Sequence, residues 1–193
     1  YPLGGKLYVF NKNENIGFIK WHMCSPAIAT QAEDLIAGGV KELIHVGYAG
    51  GLQPELVPGE IILTDGAFND TAVARLYGYD YDIIHSSKDL TNEIEEMITS
   101  AEILYKRGIH WTTDAGYRET WGQVMDYRDK GALCVEMEGV GLFTIANYRK
   151  CVATGIYVVS DVYSENDWKL GWEGNDIKRA VGAVIDMIIE SIR

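Results

Sequence analysis

The sequence predicts an α/β protein, a three-layer α/β/α sandwich around a mostly parallel, mixed central sheet. Three observations lead there. Short apolar runs recur along the whole chain, amphipathic helical patterns separate them, and turns rich in Gly, Pro and Asn punctuate the two. The 193 residues are expected to form one domain, long enough to bury a core.

The elements follow in order. Leu7–Phe10 and Ile16–Trp21 predict a hairpin turning at 11–15. Ser25-Pro26 opens a helix, Ala27, Ala32, Leu35 and Ile36 keep its period, and Gly38-Gly39 stops it. Leu43–Val46 is a short buried strand running into a Gly47–Gly51 loop, and Glu60–Thr64 is a strand after the Val57-Pro58-Gly59 turn. Thr71–Lys88 reads as irregular and aromatic, a lid or an oligomer contact. Leu90–Arg107 has one apolar face and predicts a long helix. Ile109–Thr113 is a strand, Glu119–Lys130 a helix, Leu133–Met137 a strand, Gly141–Arg149 a helix, Val152–Val159 a strand and Asn175–Arg193 a closing helix.

Seventeen Lys and Arg against 28 Asp and Glu give a formal charge of -11, which argues against a nucleic-acid partner. No apolar run reaches the length of a membrane span. These 193 residues hold no secretory signal, and because they open on Tyr1 rather than Met a targeting segment before them stays open. Cys24, Cys134 and Cys151 have no metal spacing and are expected as free thiols in a reducing cytoplasm. His22, His45, His85 and His110 are scattered, so no metal site is expected.

Three segments carry chemistry. Glycines in Gly47–Gly51 let backbone N–H groups approach a ligand, and the run reads equally as a tight turn. It matches neither GxGxxG nor GxxxxGK[ST]. Glu136 and Glu138 alternate at a strand end and share one face. Their apolar and small neighbours imply a buried setting, where a carboxylate needs hydroxyl or amide partners, and sugar hydroxyls supply them. Asp161 follows the most hydrophobic strand, where a partly desolvated carboxyl can act as a general acid. Read alone, Ser160-Asp161 is better taken as a cap or turn. Asp114 reads as a cap, Tyr117 as either a stacking face for a base or core packing, and Trp168 and Trp172 as cover for one edge of the site.

The stretches His45–Leu52, Thr112–Thr120, Val135-Glu136-Met137-Glu138 and Val159-Ser160-Asp161 stand in the order found in the nucleoside phosphorylase and nucleosidase superfamily. From about Ser25 to the C-terminus the chain resembles its purine nucleoside phosphorylase, uridine phosphorylase and methylthioadenosine nucleosidase group. The resemblance implies that Glu138 and Met137 hold the ribose, with Glu136 nearby, and that Asp161, beside Ser160, protonates the leaving purine at N7. Uridine phosphorylases lack that aspartate, so a purine is implied. Ala49 and Gly50 lie under base and sugar, and Gly116-Tyr117 matches the base-stacking region.

The implied reaction is phosphorolysis of a purine nucleoside to free base and ribose 1-phosphate, with phosphate as co-substrate and no other cofactor. His45 and Tyr48 stand where phosphorylases carry an arginine and a Ser or Thr that hold phosphate, so the phosphate-binding residues stay unassigned. The chain is expected to begin after the family's N-terminal strand and phosphate loop. Two alternatives stay open: hydrolysis of the methylthioadenosine nucleosidase type, and a catalytically weak nucleoside-binding protein. The resemblance further implies a cytoplasmic homo-oligomer, a dimer or hexamer, with no nucleic-acid or membrane partner.

Overall fold

The computed structural model describes residues 6–11, 13–163, 168–171 and 174–191. Strands β1 (Leu7–Phe10) and β2 (Asn13–Ile19) form an antiparallel two-stranded sheet of their own. Its turn is shorter than the predicted one because pairing resumes at Asn13, opposite Phe10. Helix α1 (Ser25–Ala37) starts with Pro at its first turn and ends at Gly38, as the sequence suggests.

The main sheet has seven strands: β3 (Glu42–Gly51), β4 (Ile61–Asp70), β5 (Ile83–His85), β6 (Tyr105–Thr113), β7 (Cys134–Glu136), β8 (Val152–Tyr163) and β9 (Trp168–Leu170). Their order is β5-β4-β6-β7-β3-β8-β9, and the sheet is mixed. The long pairings, β3 with β8 and β4 with β6, are parallel. A further antiparallel pairing of Ile61–Leu63 with Ile156–Val158 joins β4 to β8. Strands β4, β6, β7, β3 and β8 therefore close into a ring. Helices α1, α2 (Val73–Leu76) and α5 (Gly139–Arg149) pack against one flank, around Ile28, Phe143 and Ile145. Helices α3 (Lys88–Ser100) and α6 (Asn175–Ser191) cover the other, around Ile94, Ile98 and Val184. Helix α4 (Trp121–Asp129), begun by a reciprocal Thr120–Gln123 capping box, closes the end near Trp111.

Several predicted boundaries change, and β4 runs past the expected Thr64 to Asp70. Gly47–Gly51 is strand rather than loop, paired along β8 and, at Gly50 and Gly51, with β7 as well. Glycine is needed there because a Cβ on Gly50 would lie 2.8 Å from Tyr163 Cε2. The helix predicted to Arg107 ends at Ser100, because Glu102 turns left-handed at φ 55°. Ile103 N–H then bonds back to Ile98 O at 3.1 Å, and β6 begins at Tyr105. The 71–88 stretch is not wholly irregular: it holds α2 and β5, and Asp114 accepts the Ala72 N–H at 3.0 Å where α2 starts. Strand β8 runs on to Tyr163, so Ser160 and Asp161 lie within it rather than at its end, paired toward β9 through Asp161 and Leu170. Trp168 is in β9, and Trp172 lies outside the described residues.

Candidate active site

Register brings the predicted acids to one end of the ring. Gly50 pairs with Val135 of β7 on one side and with Asp161 of β8 on the other. The position a Gly50 Cβ would take is 3.3 Å from Asp161 Oδ2 and 3.4 Å from Val135 Cγ1. One bare glycine thus separates the strand that ends in Glu136 from the strand that carries Asp161. Ser160 donates to Asp161 Oδ1 at 2.5 Å, and Ala49 O lies 3.2 Å from the same hydroxyl. Ala49 itself is buried in the core beside Val159 and Val162.

The last residue of β7 and the two after it divide sharply. Glu136 is buried and fully engaged. His110 Nε2 lies 2.9 Å from its Oε1, Thr112 donates its hydroxyl to the same oxygen, and the Glu138 and Gly139 N–H groups reach Oε2 at 2.8 and 2.9 Å. Burial pushes its carboxyl up, but the His110 charge and hydrogen bond, together with His45 and the Thr112 hydrogen bond, hold it below the usual range. Met137 O accepts the Ser25 hydroxyl at 3.0 Å, and Met137 Sδ faces Gly116. Glu138 accepts the Cys24 N–H at 2.6 Å and keeps a side-chain hydrogen bond with Glu136. Burial first, then the nearby Glu136 charge, push the Glu138 carboxyl up to about 7.

Cys24 and its neighbours were not legible as site residues. Cys24 holds φ 79°, a conformation rare for a residue with a side chain, and this aims its N–H at Glu138. Met23 beside it is exposed. A second pair was also missed. Tyr163 donates to Glu119 Oε2 at 2.8 Å, and burial with the nearby Asp161 charge pushes the Glu119 carboxyl up. Glu119 Oε1 lies 3.4 Å from the Cβ position of Gly116, on the 3-10 turn Gly116–Arg118. The run Tyr117-Arg118-Glu119 held the only sequence hint of it. Tyr117 on that turn is fully exposed.

The two positions matched to phosphate contacts differ. Tyr48 is half-exposed. His45 is buried edge-on to Trp21 and Tyr157, 3.4 Å from the Tyr157 hydroxyl. Burial pushes its imidazole down to about 4, so it is neutral at pH 7.

Sequence and structure comparisons relate the chain to known proteins. The sequence profile of the phosphorylase superfamily matches residues 4–190. A DeoD-type purine nucleoside phosphorylase of Exiguobacterium sibiricum is 32% identical over 139 residues, covering 70% of this chain and 59% of that protein. One from Bacillus cytotoxicus is 31% identical over 138 residues, with 70% and 59% covered. The chain spans about 59% of the length of these curated relatives. Among solved structures, the P. knowlesi homolog of P. falciparum PNP shares the fold with a TM-score of 0.72 at 23% identity. That match covers 86% of this chain and 66% of the other.

Proposed function

This chain belongs to the phosphorylase superfamily, and from that premise we propose that it cleaves the N-glycosidic bond of a purine nucleoside by phosphorolysis. The observation that carries the reading is the placement of Asp161 and the β7 strand end on either side of Gly50. That spacing supports a reading in which Asp161 is the general acid and Glu138, just past the β7 end, binds the sugar. The names of the DeoD-type relatives point to the same chemistry.

The chemistry follows from the geometry. Glu138 and Met137 hold the ribose, Glu138 accepting from the sugar hydroxyls. The purine lies over Gly50, with Tyr117 offering an exposed ring face. As the C1′–N9 bond breaks, its electron pair goes to the base, and Asp161 Oδ2 gives N7 a proton. Ser160 holds Oδ1 and so fixes which oxygen carries the proton. A phosphate oxygen forms the new bond to C1′ of the oxocarbenium-like sugar, giving free base and ribose 1-phosphate. No cofactor is needed beyond phosphate as co-substrate.

A second reading, hydrolysis, is favoured by one observation. The neutral, buried His45 supplies no cation for phosphate at its position. The deciding experiment is base release from inosine, guanosine, adenosine and methylthioadenosine, with and without phosphate. Release only with phosphate supports phosphorolysis; release without it selects hydrolysis; no release from any of them removes both. We also propose a homo-oligomer, supported by the exposed Leu7, Tyr8 and Val9 on the hairpin, with sedimentation as its check.

A further inference from the structure

We infer that His110 is the positioning residue for Glu138: through the Glu136 carboxylate it holds the turn that presents Glu138 at the rim of the ring. The inference rests on the proposed function in one respect, the assignment of Glu138 to the sugar hydroxyls.

The argument starts from hydrogen-bond roles. His110 is fully buried on β6. Its Nδ1 lies 2.6 Å from Thr64 Oγ1. The Thr64 hydroxyl oxygen also lies 2.8 Å from Gly66 O and takes the Gly66 N–H at 3.1 Å, so with its one proton on Gly66 O it accepts from Nδ1. Nε2 lies 2.9 Å from Glu136 Oε1. The other groups on that carboxyl, the Thr112 and Tyr157 hydroxyls and the Glu138 and Gly139 N–H, are donors too, and the Glu138 carboxyl bonds to it through the proton that Glu138 keeps. A carboxyl bonded by donors alone is a carboxylate. With Thr64 so oriented, both ring nitrogens of His110 donate, and we take the contact with Glu136 as an ion pair inside the protein.

The pair acts on the turn directly. Glu138 N–H and Gly139 N–H are held by Glu136 where α5 begins. That leaves the Glu138 side chain aimed at the Cys24 N–H. The packing has no slack, since a Cβ on Gly139 would lie 2.5 Å from His110 Nε2. Without the ring's charge, Glu136 would be a buried carboxylate with no counter-ion and would take up a proton. The two N–H groups would then lose a charged acceptor.

A core-filling role for His110 gives a different result. A filler that is lost costs stability and depresses function equally at every pH. A positioning residue changes how Glu138 titrates, because the Glu136 charge helps keep the Glu138 proton on. The titratable groups facing this turn are Cys24 before α1, His45 on β3, Asp114 after β6, Cys134 on β7 and Tyr157 on β8. All of them remain in a His110 variant.

The test uses the whole chain labelled with 13C at the glutamate carboxyl carbon. The Glu138 resonance, assigned by its loss in Glu138→Gln, is followed from pH 5 to 9. His110→Gln is expected to move its midpoint down by about one pH unit, because Glu136 then holds the proton. Thr64→Val, which removes only the acceptor on Nδ1, should move it the same way by less, and it serves if His110→Gln does not fold. A midpoint that stays put or rises in the folded variant overturns the inference. In parallel, inosine binding is measured by calorimetry at each pH. Wild-type affinity should fall as Glu138 protonates, and in His110→Gln that fall should begin at lower pH. Absence of inosine binding by the wild type would sink the proposed function, and the Glu138 midpoint alone would then decide the inference.

Discussion

Glu136 and Asp161 are almost equally buried, 5% and 4% exposed, and sit on strands joined through the same glycine. Their surroundings differ. Around Glu136, the core supplies a histidine, a threonine and two backbone N–H groups, and the carboxylate is fixed as structure. Asp161 has Oδ1 held by Ser160 and Oδ2 turned toward bare Gly50. Near-equal burial thus goes with different neighbours at the two acids, and burial alone does not tell a structural acid from a chemical one.

The comparison can be broken in several places, with the largest effect first. Asp161→Asn should lower purine release on the order of 10²–10⁴-fold, since it removes the proton donor. A nitrophenyl riboside, whose leaving group needs no proton, should be cleaved nearly as fast by the variant as by the wild type. Equal losses on both substrates would strip Asp161 of its role as the acid.

On the structural side, Glu136→Leu should cost about 3–5 kcal/mol in urea denaturation, because it strands the buried His110 charge. A loss below about 1 kcal/mol would mean that the pair is not ionic.

Gly50→Ala tests the shared glycine. Its Cβ would meet Tyr163 Cε2 at 2.8 Å and Asp161 Oδ2 at 3.3 Å. We expect a destabilisation of about 1–3 kcal/mol and a raised KM. An unchanged KM would separate this glycine from the cleft.

Glu138 gives a signed pH dependence. Its carboxyl sits at about 7 in the folded chain, well above its unfolded value, so the native state binds more protons between the two. Stability should therefore fall as pH rises through that window and level off above 7. Glu138→Gln should flatten this slope when denaturation is compared at pH 5 and 7.5. At the small end, Lys130→Ala breaks the exposed Lys130–Asp126 pair on α4 and should cost about 0.5 kcal/mol or less. That sets an exposed pair beside the buried His110–Glu136 pair.

Much of the fold was legible because hydrophobic period survives into structure. Helices α1 and α5 and strand β7 lie close to where apolar spacing puts them, while β6 starts at Tyr105 inside the stretch expected as helix. The misreadings came from residues with two meanings. Gly47–Gly51 reads as a loop because isolated glycines break strands, yet in this ring they make room for side chains of β7 and β8. Ser160-Asp161 reads as a strand stop because both favour caps, yet β9 pairs beyond them. In the site, the acids were visible as residue types next to apolar runs. Their partners were not. His110 and Glu136 are 26 residues apart, and only the alternation of His110 and Thr112 on β6 hinted that both face one carboxyl. The strained Cys24 and the Tyr163–Glu119 contact depend on long-range packing that no local pattern encodes.

The seam that joins Ile61–Leu63 to Ile156–Val158 has a consequence for how the chain reaches its fold. The ring cannot close until β8 has been synthesised and carried back to β4, so closure is a late, long-range event. Folding dominated by such pairings is slow, in the millisecond-to-second range or longer. Until the seam forms, the apolar edges of β4 and β8 stay open to other chains. On the ribosome, the protein must therefore wait for its last strands before its first ones are sealed.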